Sequence, residues 1–181
     1  MTEHTITVVR LDGPAAALAE DAFRLIYAEA FAEPPYHETD DDVRAAFRRF
    51  GEQTRRPGFR AALARTGTGE PVGMAYGHPV PPDTDWWDRL TEPVDAATRR
   101  EDGRRTFGLM ELAVRAPWRG RGTGRRLHDA LLDGITSERV MLNVHTDNGP
   151  ALAAYRSWGY RTVGEAYPRP EADRHAVMLL P

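Results

Sequence analysis

The order of apolar patterns along this chain predicts an α/β or α+β fold built on one central sheet. Three observations carry that expectation. Strand-like and helix-like runs interleave as strand, two helices, several strands, helix, strand, helix and two strands. Two runs, FGLMELAVR and RVMLNVH, are almost continuously apolar, as strands covered on both faces are. With 181 residues, 41 % of them hydrophobic, the chain is long enough to bury a proper core.

The elements follow in order. TITVVRL (Thr5–Leu11) alternates and is β-branched, so it reads as the first strand. A helix is expected from about Pro14, a residue suited to the first helical position, with Leu18, Ala22, Leu25, Ile26 and Ala30 on one face. Pro34 and Pro35 stop it. TDDDVRAAFRRFGEQ opens with a Thr/Asp cap and sets Val43, Ala46, Phe47 and Phe50 at helical spacing. GFRAALARTGTGEPVGMAYGHPV reads as a hairpin, two strand-like runs around a loop-forming cluster. Positions 79–106 are rich in proline and charge, and are expected to form a long insertion that Trp86 and Trp87 keep partly packed. FGLMELAVR is then a central strand. A glycine-rich turn and a helix ending near Gly134 follow. RVMLNVH is another buried strand, and NGPALAAYRSW a short helix opened by Asn148, Gly149 and Pro150. YRTVGEAY and HAVMLLP finish the chain as strands.

Composition narrows the chemistry. There is no cysteine, which removes disulfides and thiolate nucleophiles. No lysine occurs either, since all 24 basic residues are arginine, so Schiff-base chemistry and the Walker phosphate loop are excluded. Serine appears only at Ser137 and Ser157, neither in a nucleophile elbow. The six histidines are scattered without metal-ligand spacing, so no metal is expected. A net charge of −3 argues against nucleic-acid binding. No run is long and apolar enough to span a membrane and the N-terminus lacks a signal pattern, so a cytoplasmic location is expected.

One stretch stands apart. In Arg119-Gly120-Arg121-Gly122-Thr123-Gly124, followed by Arg125 and Arg126, glycines and arginines alternate at a strand-to-helix turn. Glycines let backbone approach a ligand closely, and the first turn of a helix offers unpaired amides to an anion. A solvated charged turn is the plain alternative. The dinucleotide pattern fails here, because the spacing is G-x-G-x-G and RVMLNVH ends without an acid.

The stretch matches R-x-x-G-x-G and resembles the pyrophosphate loop of the GNAT superfamily of N-acetyltransferases. ELAVRAPWRGRGTG is similar to that family's fourth strand and phosphate loop. NVHTDNGPALAAYRSWGYRTVG resembles its next motif: strand, asparagine, short helix with a tyrosine, then aromatic-Gly-aromatic. Together these cover about Phe107 to Gly164. The resemblance implies a single acyltransferase domain over 1–181, with a mixed, mostly antiparallel twisted sheet, a splay between two central strands, and flanking helices.

It also implies roles. Acetyl-CoA (or CoA) would be bound by the backbone of Leu112, Ala113 and Val114 and by the turn of Arg119, Gly120, Arg121, Gly122, Thr123, Gly124 and Arg125. Asn148 would contact the pantetheine or hold the strand; a simple helix cap is the alternative. Tyr155 would protonate the departing thiolate, or else be a core aromatic. Glu111 would take a proton from the amine, unless it is a carboxylate paired with an arginine. Phe31, Tyr36, His37, Glu38, Trp86 and Trp87 would lie on the acceptor side. The expected acceptor is a small-molecule amine, with a protein amine also open, and the chain a monomer or homodimer. A CoA-binding module without turnover is the competing expectation.

Overall fold

The computed structural model describes residues 5–181. They fall into two compact units. One takes the chain up to His78 and again from Met110 to Ile135; the other takes Pro79–Leu109 and Thr136–Pro181.

In the first unit, strand β1 (Ile6–Asp12) leads into helices α1 (Gly13–Leu18), α2 (Glu20–Ala32) and α3 (Asp40–Gln53), then strands β2 (Arg60–Thr66) and β3 (Pro71–Pro79). The far half of β4 (Thr106–Val114) and helix α5 (Thr123–Leu132) complete it. β1 pairs with β2 and β2 with β3, both antiparallel, and β4 lies next to β3. Asp12 caps α1 by accepting from Ala15 N–H at 2.9 Å. Thr39 and Asp42 form a reciprocal capping box at the start of α3.

The single helix expected from Pro14 is two helices broken at Ala19, and its expected face holds at Ala22, Ile26 and Ala30 but is corrected at Leu18 and Leu25. Leu18 is 92 % exposed and Leu25 also faces solvent, while Phe23, Ile26 and Tyr27 are buried. The break lets α2 bury its bulkiest aromatic side rather than the leucine stripe. Phe23, Tyr27, Phe47, Phe50, Phe59 and Tyr76 then pack together with Ala61, Leu63 and Met74 of the sheet. Gly13 comes so close to the Thr54 carbonyl that an added Cβ would overlap it.

In the second unit the strand order is β4-β5-β7-β6, with β5 at Arg139–His145, β6 at Arg161–Ala166 and β7 at His175–Leu180. Helix α6 (Gly149–Ser157) joins β5 to β6. β7 pairs antiparallel with both neighbours. The β4–β5 pair is parallel and matches only Thr106, Phe107 and Gly108 with Arg139, Val140 and Met141; β4 itself continues to Val114.

The insertion is ordered by its own contacts. A single 3-10 turn spans Trp86–Arg89, and a short helix α4 spans Ala96–Arg99. Trp87 packs with Val80, Met141, Ala166, Val177 and Leu179. Its indole N–H donates to Glu101 at 3.0 Å, the Thr106 hydroxyl donates to the same carboxylate at 2.6 Å, and Arg139 reaches it at 3.5 Å. Leu90 bridges to Ala166, so the segment is tied to both β4 and β6.

Candidate active site

The glycine–arginine turn lies in the first unit. After β4, Ala116–Trp118 make one 3-10 turn, Gly120 and Gly122 take left-handed conformations (φ 75° and 79°), and α5 starts at Thr123. L side chains rarely adopt that conformation, which is why glycines stand there. Gly122 is the N-cap and supplies no side-chain cap, so the first amides of α5 stay available to a ligand. A Cβ built on Gly120 or Gly122 would meet nothing within 4 Å. Backbone at this turn is therefore open to close approach from outside.

The arginines divide into braces and a free cation. Arg119 donates to the Val114 carbonyl (2.7 Å) and to Glu33 (2.8 Å). Arg125 pairs with Asp129 at 3.0 Å, and Arg126 reaches the Ile6 carbonyl at 2.9 Å. Arg115 is the deepest brace, bound to Glu29, Glu70 and the Pro71 carbonyl and lying over the Trp118 ring. The Glu29 carboxylate holds its guanidinium in the charged form. Arg121 is exposed, and among the described residues no hydrogen bond or ion pair engages it. Sequence reasoning took the arginines as one group; only their distances separate these roles.

On β4, Leu112 and Val114 are half-buried and Ala113 is buried, with Arg115 N–H donating to the Val72 carbonyl at 2.8 Å. Glu111 is half-buried, and its charge acts on two buried phenols, Tyr27 and Tyr76. Burial first, then Glu111, pushes both phenols above the usual tyrosine range. Tyr27 is also hydrogen-bonded to Glu38. Phe31 stacks on Tyr27 at 4.3 Å and meets Tyr36 edge-on at 4.6 Å. Phe31 and Glu38 thus flank Tyr27 and Tyr36 packs on the far side of this group against Phe31, whereas His37 is exposed and takes a left-handed backbone (φ 48°). Sequence reading singled out neither Tyr27, which lies off the helix face expected there, nor Tyr76, which sits unmarked in the second strand of the hairpin.

The second unit holds the remaining residues. Asn148 caps α6, its side chain accepting from Ala151 N–H at 3.1 Å. Tyr155 is buried against Trp158 and Tyr160, each ring centre 5.5 Å away. The turn before α6 is set by His145, whose Nδ1 accepts from Asp147 N–H and whose Nε2 donates to Asp173, both at 3.0 Å. Trp86 donates its indole N–H to Asn143 at 2.8 Å, and Trp87 is buried on Glu101. Both tryptophans therefore spend their one donor inside the second unit. Among the described residues no group of three or more His, Asp or Glu is placed to hold a metal ion, and no helix is long and apolar enough to cross a membrane.

The strand order, the parallel β4–β5 pair and the glycine turn before α5 define a GNAT-type α/β fold. Residues 20–160 match the model of the Acetyltransferase (GNAT) family, and the chain belongs to that family. It is 49 % identical over 58 residues to an N-alpha-acetyltransferase RimI of Mycobacterium tuberculosis, covering 32 % of this chain and 37 % of that protein. An uncharacterized protein of Mycobacterium leprae is 45 % identical over 74 residues, covering 39 % of this chain and 21 % of that one. The chain thus spans well under half the length of the curated relatives it matches. Among solved structures, PH1933 from Pyrococcus horikoshii superposes with a TM-score of 0.66 at 19 % identity, covering 97 % of this chain and 98 % of the other. A PaiA N-acetyltransferase from Thermoplasma acidophilum in complex with coenzyme A gives 0.62 at 10 % identity, covering 97 % and 98 %. At these identities the structural likeness concerns the fold.

Proposed function

We propose that this chain is an N-acetyltransferase that moves an acetyl group from acetyl-CoA to an amine by direct attack, without an acyl-enzyme. The observation that carries the reading is the turn at Gly120–Gly122: two left-handed glycines with open space around them, the uncapped first amides of α5 next to them, and the exposed Arg121 between them in sequence. A pyrophosphate suits such a cradle, because amides and a helix N-terminus favour negative charge. Arg119 and Arg125 support the turn through Val114, Glu33 and Asp129, so their part in cofactor binding is to shape it.

Acetyl-CoA supplies an acyl group activated as a thioester. In this reading the backbone of Leu112 to Val114 pairs with the pantetheine, and an N–H near Leu112 stabilises the developing oxyanion. The bond from amine nitrogen to acyl carbon forms as the carbon–sulfur bond breaks. The ammonium gives one proton to Glu111 or to water before attack, and the departing sulfur takes the proton of Tyr155. The second nitrogen proton, released as the amide forms, returns to Tyr155 through solvent. Asn148 holds the start of α6 and so the approach of Tyr155. The whole chain, insertion included, acts as one domain, as monomer or homodimer, in the cytoplasm and without nucleic acid or membrane.

The acceptor is a small-molecule amine or a protein amine; the similarity to a RimI N-alpha-acetyltransferase keeps a protein N-terminus in the test. The first experiment compares thermal shifts with acetyl-CoA, CoA, ATP and NAD. A ligand at 100 times its Kd adds about 2.7 kcal/mol. Stabilisation by the CoA species alone, lost in Gly122→Asp, supports the reading; no shift with either CoA species overturns it. Stabilisation without thiol release on any amine points to the binding module instead.

A further inference from the structure

The turn between β5 and α6, in the second unit, hangs on one side chain. His145 ends β5 and is only 4 % exposed. Its Nδ1 accepts from Asp147 N–H and its Nε2 faces Asp173, both at 3.0 Å. Its backbone carbonyl accepts from Asn148 N–H at 2.9 Å, so ring and main chain hold two successive residues of one turn. Thr146 N–H adds a bond to the Arg174 carbonyl at 3.2 Å. Asn148 then opens α6, its side chain accepting from Ala151 N–H at 3.1 Å.

These bonds decide the state of the ring. A backbone N–H can only donate, so Nδ1 presents its lone pair and the proton of the neutral ring sits on Nε2. The exposed Asp173 carboxylate accepts from that Nε2–H. His175 stands edge-on to the ring at 5.3 Å and spends its own Nδ1–H on the Asp173 carbonyl at 2.8 Å. With its one lone pair engaged, the His145 ring is not placed to take a proton from a reacting group. What it fixes is backbone. Asn148 departs from the extended conformation usual at a helix start (φ −88°, ψ 76°). A conformation set by the turn, rather than by the helix, requires the turn to be held.

We infer that His145 is a positioning residue: through the Asp147 amide it sets the angle at which α6 starts, and so where α6 carries Tyr155. Tyr155 is the seventh residue of that nine-residue helix, short enough to follow its first turn as one rod. The inference rests on the acid role given to Tyr155 above and adds a residue that does not itself react. Losing one buried hydrogen bond, and with it the alignment of a proton donor, slows the transfer about tenfold.

The test uses the full chain with acetyl-CoA and two probe amines, spermidine and a short peptide with a free N-terminal alanine, and follows release of the free thiol. Two variants divide the imidazole between them. Asparagine places its oxygen near the former Nδ1, and glutamine places its amide N–H near the former Nε2. His145→Asn keeps the acceptor for Asp147 and should hold kcat within about twofold. His145→Gln keeps the donor to Asp173 and should lower kcat about tenfold, with the acetyl-CoA thermal shift retained. A residue that merely supports the fold would slow both alike, since each variant loses one hydrogen bond. Added to Tyr155→Phe, His145→Gln should cost no further rate, because both act on one proton. Amide hydrogen exchange reads the turn without turnover. The Asp147 amide should be protected in the wild type and in His145→Asn, and exchange about tenfold faster in His145→Gln.

Equal kcat losses in the two variants, an unchanged kcat in His145→Gln, or additive losses with Tyr155→Phe overturn the inference. So does an unprotected Asp147 amide in the wild type, a measurement that stands should a variant fail to fold. A wild type stabilised by acetyl-CoA that releases thiol with neither amine, or a Tyr155→Phe variant with full kcat, removes the acid role of Tyr155 and this inference with it. No acetyl-CoA shift at all sinks the acetyltransferase reading itself.

Discussion

Arg139 lays its guanidinium over the ring of Trp87, 5.2 Å from the ring centre, and reaches Glu101 at 3.5 Å, the carboxylate to which Trp87 also donates. The two charged side chains are only 9 % and 2 % exposed. Arg139 opens β5 and Glu101 lies in the insertion, so one buried pair anchors the segment to its sheet. Removing one partner would leave a buried charge without compensation. Glu101→Ala is therefore expected to destabilise the protein by about 3–5 kcal/mol, read from urea unfolding. A loss under about 1 kcal/mol would show that water already compensates the pair.

Gly13 carries a second stability prediction. Its backbone sits where a Cβ would overlap the Thr54 carbonyl oxygen, and neither group is a flexible side-chain end. Gly13→Ala should cost about 1–3 kcal/mol although alanine is the better helix former. Gly51, with open space at its Cβ position, is the control: Gly51→Ala within α3 should be neutral or stabilising.

Tyr155→Phe isolates one hydroxyl from a packed ring. The ring contacts with Trp158 and Tyr160 remain, so the melting temperature should hold. If the phenol protonates the leaving sulfur, kcat falls about 100-fold while the acetyl-CoA thermal shift persists. Steady-state kinetics with any accepted amine checks this, and an unchanged kcat removes Tyr155 from the chemistry.

Stability should also fall in mild acid. Burial is the main cause that lowers the pKa of His175 and of His128 below 6.5; the nearby His145 acts in the same direction on His175, against weaker raising by Asp173 and Asp129. A depressed folded-state value means the unfolded chain binds the proton first. The contribution of these two is present above about pH 6.5 and is lost as pH falls through the folded values. Melting temperatures between pH 8 and pH 5 should decline, and His128→Gln should flatten part of the slope. A flat profile in the wild type would contradict this.

What was legible in the chain was whatever depends on local order. Alternation and helical spacing located β1, α3, the β2–β3 hairpin, β5 and α6 to within a residue or two, because periodicity follows directly from backbone geometry. The glycine turn was legible for the same reason, since a left-handed conformation is marked by the residue that tolerates it. The break at Ala19 was not legible. No glycine, proline or cap marks it, and it follows from which aromatic side of α2 the core accepts.

The sequence by itself determined the family pattern, the fold class and the glycine turn before α5, all short-range matters of spacing and backbone freedom. Only the tertiary structure decided which charged groups are engaged. Arg119 is spent on Glu33 and Val114, while none of the described residues engages Arg121; Trp87 is sealed by Glu101; Tyr27 stands with Glu38 and Glu111. Those partners lie far apart in the chain. Which charge meets which depends on the packing of whole elements, and one-dimensional spacing does not encode that.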